Sequence, residues 1–262
     1  MVHISSKITI FFALFNTVLY AILIKCNLRR TTIINFPYDN SKIIEFSEHL
    51  IEEIVKLAYL FSRHMTERLD IARQIVEETC PHRRLKLENI QMFSEVIQCR
   101  KFHKGEVILA EGEVCTCLSY IEKGLTRQHY VKHEKDMTEH LSCEGGGVFC
   151  IESYFNGTPT HLAMEALEPT VIWEMPRDKM EELAETNADL AYLYRRFIEN
   201  SLMLSQGKAD LLRFESAMDR YTKLMHLFPE IIQRAPLTYV ASYLQMSLET
   251  LSRVRSSIST QQ

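Results

Sequence analysis

The hydrophobic pattern of this chain changes period twice. From Ser41 to Glu78 apolar residues recur at helical spacing: Ile44, Leu50, Ile51, Ile54, Val55, Leu57 and Ala58, then Leu69, Ile71, Ile75 and Val76. Ser41 is a candidate N-cap and Pro81 closes the pattern. Between Arg100 and about Met175 the texture is different. Short β-branched and aromatic runs (Glu106–Ala110, Thr116–Ile121, Leu125–Val131, Thr170–Met175) alternate with Gly105, Gly112, Gly124, Gly145 to Gly147 and Gly157. Turn signals at that spacing predict an antiparallel barrel or jelly roll. Lys123-Gly124 is placed where a hairpin needs positive φ.

After Pro176 the helical period returns and stays. Asp178–Ala184 predicts a short helix, and Ala188 to about Leu212 a long one. The long one carries a stripe through Leu190, Tyr194, Phe197, Ser201, Leu204 and Leu211, interrupted by Lys208. Such a stripe is either a seam between two copies of the chain or a face packed on its own barrel. Gly207 within it costs about 1 kcal/mol against Ala. Ser216 to Phe228 predicts a further amphipathic helix, which Pro229 ends or redirects.

The last stretch, Pro236 to Ile258, reads as two short helices. Leu237, Val240, Ala241 and Leu244 share one face of the first. Ser247 is a good N-cap for the second, whose inner side carries Leu251 and Val254. Val240 and Ala241 buried against Leu251 and Val254 make a helix-turn-helix. In such a unit the second helix enters the DNA major groove with its N-terminal residues toward base edges. Its outward set is Leu248, Glu249, Ser252, Arg253 and Arg255. Glu249 suits a cytosine amino group, Arg253 a guanine or a phosphate, and Arg255 a phosphate. The competing reading is a plain helical hairpin with a solvated face.

The resulting fold class is α+β: a β-roll or jelly roll, a long helix and a C-terminal helix-turn-helix. The expected divisions are an N-terminal extension (1–64), the roll (65–187), the long helix (188–213) and the helix-turn-helix domain (214–262). Composition permits this without adding to it. The 262 residues are 46% hydrophobic and 24% charged, an ordinary globular balance. The net charge of −4 means that any DNA contact rests on local basic residues. Seven scattered cysteines suit a reducing compartment better than a disulfide framework. No nucleophile–base pairing, phosphate loop or metal-ligand cluster stands out, so an enzyme is the least favoured class and neither a catalytic residue nor a metal site is expected.

The run Ile8–Ile24 (ITIFFALFNTVLYAILI) leaves three readings open. It is a membrane anchor somewhat short of the ~20 apolar residues a span wants, a buried or signal segment, or a stretch preceding a true start at Met65. Without an anchor the expected location is the cytoplasm.

The order of parts resembles the CRP/FNR superfamily over about Met65 to Ile258. The matching pieces in the roll are Phe102-His103-Lys104-Gly105-Glu106 with Gly112-Glu113, and Ile121-Glu122-Lys123-Gly124. In Leu244–Arg253, Ser247, Glu249, Thr250 and Arg253 match the family's recognition-helix pattern. The resemblance implies a cyclic-nucleotide-binding-like sensor, a dimerisation helix, and a homodimer on a two-fold-symmetric operator. Double-stranded DNA is then the partner, RNA polymerase a further one, and Thr238, Ser247, Glu249, Thr250, Ser252, Arg253 and Arg255 the DNA-contact set. Leu248 stands where cyclic-AMP-responsive members often carry a second Arg. The chain ends soon after Ile258, leaving little room for the β-hairpin wing that follows the recognition helix in some members.

The resemblance also implies an effector pocket around Arg127, Phe149, Cys150, Ile151, Glu152, Ser153, Thr160 and His161. There the departures are serious. Cys150 replaces the Gly of the family's phosphate cassette, Ile151 the ribose-binding Glu, and Thr160 the phosphate-binding Arg. Losing that Arg forfeits a charge-assisted, often bidentate contact, which disfavours cyclic AMP. Arg127 or His161 is left for another anion, and the effector is an unidentified small molecule or none. Cys115 and Cys117 fall in an expected strand, and Cys80 and Cys99 lie far apart, which argues against an iron–sulfur site. The alternative to a regulator is a membrane-tethered or cytosolic signalling or structural module whose helix-turn-helix does not read DNA.

Overall fold

The computed structural model describes residues 40–259; the apolar run 8–24 lies outside them. The chain divides into two compact units, residues 1–67 and residues 68–262. Helix α1 (Asn40–Thr79) begins in the first. Among the described residues no helix is long and apolar enough to cross a membrane. The roll, the long helix and the C-terminal helices all belong to the second unit.

In that unit, α2 (Leu87–Val96) leads into eight strands: β1 (Gln98–Phe102), β2 (Val107–Leu109), β3 (Cys117–Lys123), β4 (Thr126–Lys132), β5 (Lys135–Ser142), β6 (Gly147–Val148), β7 (Ala163–Ala166) and β8 (Thr170–Pro176). A short helix α3 (Ile151–Asn156) separates β6 from β7. Two antiparallel four-stranded sheets result, in the orders β1-β8-β3-β6 and β2-β7-β4-β5. Leu118, Tyr120, Ile121, Ile172 and Trp173 are buried in one core, which Ile75, Phe93 and Ile97 join from α1, α2 and the segment before β1. Full burial of each large apolar side chain contributes roughly 1.5–3 kcal/mol.

Glycine is required at the β3–β4 turn. Gly124 has φ +111°, and a Cβ there would lie 2.4 Å from Thr170 Oγ1. The β4–β5 turn is made instead by His133 and Glu134, at φ 49° and 61°. Two left-handed residues give the twist a two-residue hairpin needs. With neither Gly nor Asn present, the sequence carries no hairpin signal at that point. Strand β5 is likewise too polar to announce itself, and it forms because it pairs with β4 from Lys135 to Ser142.

Four helices and a final pair follow: α4 (Arg177–Thr186), α5 (Ala188–Phe214), α6 (Ala217–Leu227), α7 (Pro229–Arg234), then α8 (Leu237–Tyr243) and α9 (Leu248–Ser259). Asn187 caps α5 by accepting from the Asp189 and Leu190 amides, and Ser216 caps α6 through the Asp219 amide. Gly147 allows α5 to approach the roll, since a Cβ there would lie 2.7 Å from the Phe197 ring. A second buried cluster joins Leu125, Leu141 and Cys143 of the roll to Tyr221, Leu224, Ile231, Val240, Ala241, Leu244, Leu251 and Val254.

Candidate functional site

The pair α8–α9 is assembled as its apolar spacing requires. Val240 and Ala241 on α8, Leu244 at its C-cap, and Leu251 and Val254 on α9 are buried in one cluster, whereas Leu237 is exposed. The connection turns at Gln245, φ 50°. Ser247 then caps α9: its Oγ accepts from the Thr250 amide at 3.1 Å and contacts Thr250 Oγ1 at 2.9 Å. Thr250 is therefore tied into the cap, while Thr238, Glu249, Ser252, Arg253 and Arg255 are exposed. Glu249 and Arg253 form an ion pair one turn apart, with side chains 75% and 74% exposed. Leu237, Thr238, Leu248, Ser252 and Arg255 line an open cleft of about 870 Å³ along the pair.

The roll disposes of its polar residues differently. The Arg127 side chain is 2% exposed and held on every side. Its Nε donates to Thr138 Oγ1 at 2.9 Å, one Nη to Glu165 at 3.0 Å and the other to Asp136 at 2.5 Å. Its guanidinium also lies 3.7 Å from the centre of the Tyr239 ring. The expectation that Arg127 is available to a small anion is corrected here, because its donors are committed to two carboxylates and a hydroxyl. Nor does it face the interior: its strand partner Leu141 belongs to the helical cluster.

Gln128, one residue on, does face the interior. Its Nε2 donates to Phe149 O at 3.1 Å and to Cys150 Sγ at 3.4 Å. Phe149, Cys150, Ser153 and Thr160 are all buried. Ser153 Oγ accepts from the Cys115 amide at 2.8 Å and donates to Thr158 O at 2.6 Å. Thr160 Oγ1 accepts from the Leu162 amide at 3.0 Å. Cys115 Sγ accepts from the Cys150 amide at 3.4 Å. The Cys115 contact, with help from Thr160 and Gln128 and against burial, draws the Cys150 thiol down to about 7; the same contact and burial push Cys115 up. Ile151 and Glu152 are exposed on α3. His161 is exposed and meets Tyr130 edge-on, centroids 6.2 Å apart.

Cys80, Cys115, Cys143 and Cys150 are buried, and Cys99 and Cys117 are half-buried. All six in the described region are unbridged, and no group of His, Cys, Asp and Glu there is disposed to hold a metal ion. Cys115 precedes β3 instead of lying within it, and the strand begins at Cys117.

The stripe on α5 divides in three. Leu190 and Phe197 are buried in the roll's own core, and Tyr194 bonds Tyr154 through the two hydroxyls at 2.9 Å. Leu211 packs against the C-terminal cluster. Ser201 is half-buried, and Leu202, Met203 and Leu204 are exposed by 62%, 71% and 54%. Leu190 and Phe197 are thus withdrawn as seam residues, since neither has a surface left to offer. Lys208, which breaks the stripe, is 8% exposed and pairs with Glu139 Oε1 at 2.7 Å.

Sequence reasoning missed the contacts joining α7 and α8 to the roll. Besides Arg127–Tyr239, Ser242 Oγ accepts from the Thr138 amide at 2.8 Å. Arg234 spans Glu144 at 2.5 Å and Glu168 at 3.0 Å. The Arg234 guanidinium, assisted by the Gly124 amide, holds the Glu144 carboxyl down at about 2. Lys208 and Tyr243 lie over β5, where burial pushes the Tyr243 hydroxyl up to about 12 and pulls the Lys208 ammonium down. No short motif encodes such contacts, because each joins residues far apart in the chain.

Residues 99–187 match the family model described as "Cyclic nucleotide-binding domain". The matched residues, about a third of the chain, lie within the roll, which is similar to that domain. The chain is similar in fold to FixK2 of Bradyrhizobium japonicum, with TM-score 0.52 and 21% identity over 63% of this chain and 86% of that one. It is similar also to CLP, the c-di-GMP-responsive global regulator of Xanthomonas campestris, with TM-score 0.53 and 14% identity over 67% of this chain and 93% of that one. At these identities the likeness is one of fold. No curated protein matches the chain.

Proposed function

We propose that this chain is a sequence-specific transcription regulator of the CRP/FNR type. In this reading α8–α9 is a helix-turn-helix, and a homodimer presents one α9 to each half of a two-fold-symmetric operator, about one DNA turn apart. The observation that carries it is the face of α9. A helix capped by Ser247 and backed by buried Leu251 and Val254 offers Glu249, Ser252 and Arg253 to solvent. A hairpin with a purely structural role gains little from that ion pair, since exposed pairs contribute under about 1 kcal/mol.

The Leu202–Met203–Leu204 segment of α5 is the dimer seam under this reading. The effector is not cyclic AMP. That part of the reading is supported by Ile151 and Thr160 in the cassette, and by an Arg127 already paired and turned toward Tyr239. The protein is not an enzyme.

Gel-shift titration on genomic fragments tests the function. Wild type is expected to retard a subset of fragments, and Arg253→Ala to bind them roughly 10- to 100-fold more weakly, the loss of about 1–3 kcal/mol that one base-reading side chain supplies. Absence of binding by wild type, or equal binding by both proteins, overturns the reading.

A further inference from the structure

Strand β4 passes between two environments. Gln128 points into the roll interior, onto Phe149 and Cys150, and its strand partner Met164 belongs to the interior core. Arg127 points the opposite way, under Tyr239 of α8, and its partner Leu141 belongs to the helical cluster. Successive residues of a strand must face opposite sides. The buried group around Cys150 and helix α8 therefore touch the same strand one residue apart.

The contact on the helical side is polar and specific. Buried Arg127 pairs with half-exposed Asp136 and largely covered Glu165, and its remaining face is covered by the Tyr239 ring. One turn along α8, Ser242 accepts from the Thr138 amide. Thr138 Oγ1 in turn receives Arg127 Nε. Arg127, Thr138, Tyr239 and Ser242 thus form a closed ring of contacts between β4, β5 and α8. His129, on the same strand, lies 3.4 Å from Asp136 and 3.9 Å from Glu165.

We propose that this ring is a latch that couples the roll interior to the presentation of α9, with β4 as the transmitting element. A displacement of Gln128, by a molecule entering beside Phe149 and Cys150 or by any change there, shifts β4 and moves Arg127 beneath Tyr239. Buried polar rings of this kind hold discrete arrangements, because a partly made one leaves a desolvated charge without its partner. That the latch bears on DNA reading rests on the function proposed above; the mechanical coupling does not.

Amide hydrogen exchange on the full-length protein tests it. Tyr239→Leu removes the ring over Arg127 and keeps an apolar side chain, and it is expected to speed exchange at residues 238–243 about tenfold. Gln128→Met, inside the roll, is expected to speed exchange at the same helix residues. In the double variant the Gln128→Met effect on α8 should vanish, since the link through Tyr239 is already cut. Ser242→Ala supplies an independent break should Gln128→Met fail to fold, and should act on α8 as Tyr239→Leu does. Gln128→Met changes confined to the roll, or helix effects that simply add, overturn the coupling. Unchanged exchange in Tyr239→Leu overturns the latch. A parallel titration uses duplexes that wild type selects from a random-sequence pool, on which both single variants are expected to bind several-fold more weakly. Failure of wild type to select any duplex counts against DNA reading and leaves the exchange result to decide the latch.

Discussion

Arg127 and Arg253 are both paired with carboxylates, yet one side chain is 2% exposed and the other 74%. The first stands between two acids, under an aromatic ring and inside the fold; the second has one partner, on its own helix, and water elsewhere. The difference separates a charge the fold depends on from a charge the fold leaves available. A buried guanidinium has lost its hydration, so its partners are obligatory. An exposed one exchanges its partner for another anion at little cost, as contact with a phosphate or base edge demands. The contact between β4 and α8 is of the first kind, and the outer face of α9 is of the second.

Substitution at the two arginines should separate them most sharply. Arg127→Leu takes the cation from Asp136 and Glu165 and the donor from Thr138 Oγ1, and is expected to lower stability by about 1–3 kcal/mol in denaturant unfolding. Arg253→Ala should change stability by less than about 0.5 kcal/mol. Similar losses for the two would erase the distinction.

Along α5 the contrast repeats between buried and exposed apolar residues. Phe197→Ala should cost roughly 3–5 kcal/mol, since its ring fills the space over Gly147. Leu204→Asp should leave the folded protomer intact and shift sedimentation toward monomer. A dimer undisturbed by Leu204→Asp would place the seam elsewhere.

The capping bond of α9 sets a smaller scale. Ser247→Ala removes the acceptor for the Thr250 amide and should cost about 1 kcal/mol, read as a lower thermal midpoint. Under the proposed function, DNA binding should weaken both through fraying of α9 and through loss of the Ser247 hydroxyl.

The smallest expected effect is a pH dependence. Glu144 titrates at about 2 in the folded protein, below its ordinary 4.5. A depressed carboxyl contributes stability that is present above pH 4.5 and is lost as pH falls toward 2. Wild type should therefore exceed Glu144→Gln in thermal midpoint at neutral pH, the gap closing across that window. Glu144 is partly exposed, so solvent screening keeps the gap small. A gap independent of pH would mean that the carboxylate charge is not what Arg234 uses.

Much of this molecule is legible in its sequence where the signal is local. The helical period after Pro176, the strand runs at Thr116–Ile121 and Thr170–Met175, and the cap at Ser247 each depend on residues a few positions apart, and the fold honours them. So does the burial of Val240, Ala241, Leu251 and Val254, because amphipathic spacing fixes which face turns inward. The hairpin at His133-Glu134 was illegible, because its left-handed residues are not the usual ones and only pairing with β4 holds them there. The stripe on α5 was legible as apolar but not as to its partner, for periodicity says that a face is covered and never by what.

What the sequence determined by itself, then, is the order of parts and the identity of the residues turned outward on α9. Only the tertiary structure decided the fate of Arg127, Gln128, Lys208 and Tyr239. Their roles come from partners 9 to 112 positions away along the chain, as in Arg127 with Asp136 or with Tyr239. A charge becomes structural when the fold strips its water and supplies its counter-ions, and no local pattern records which charges those are.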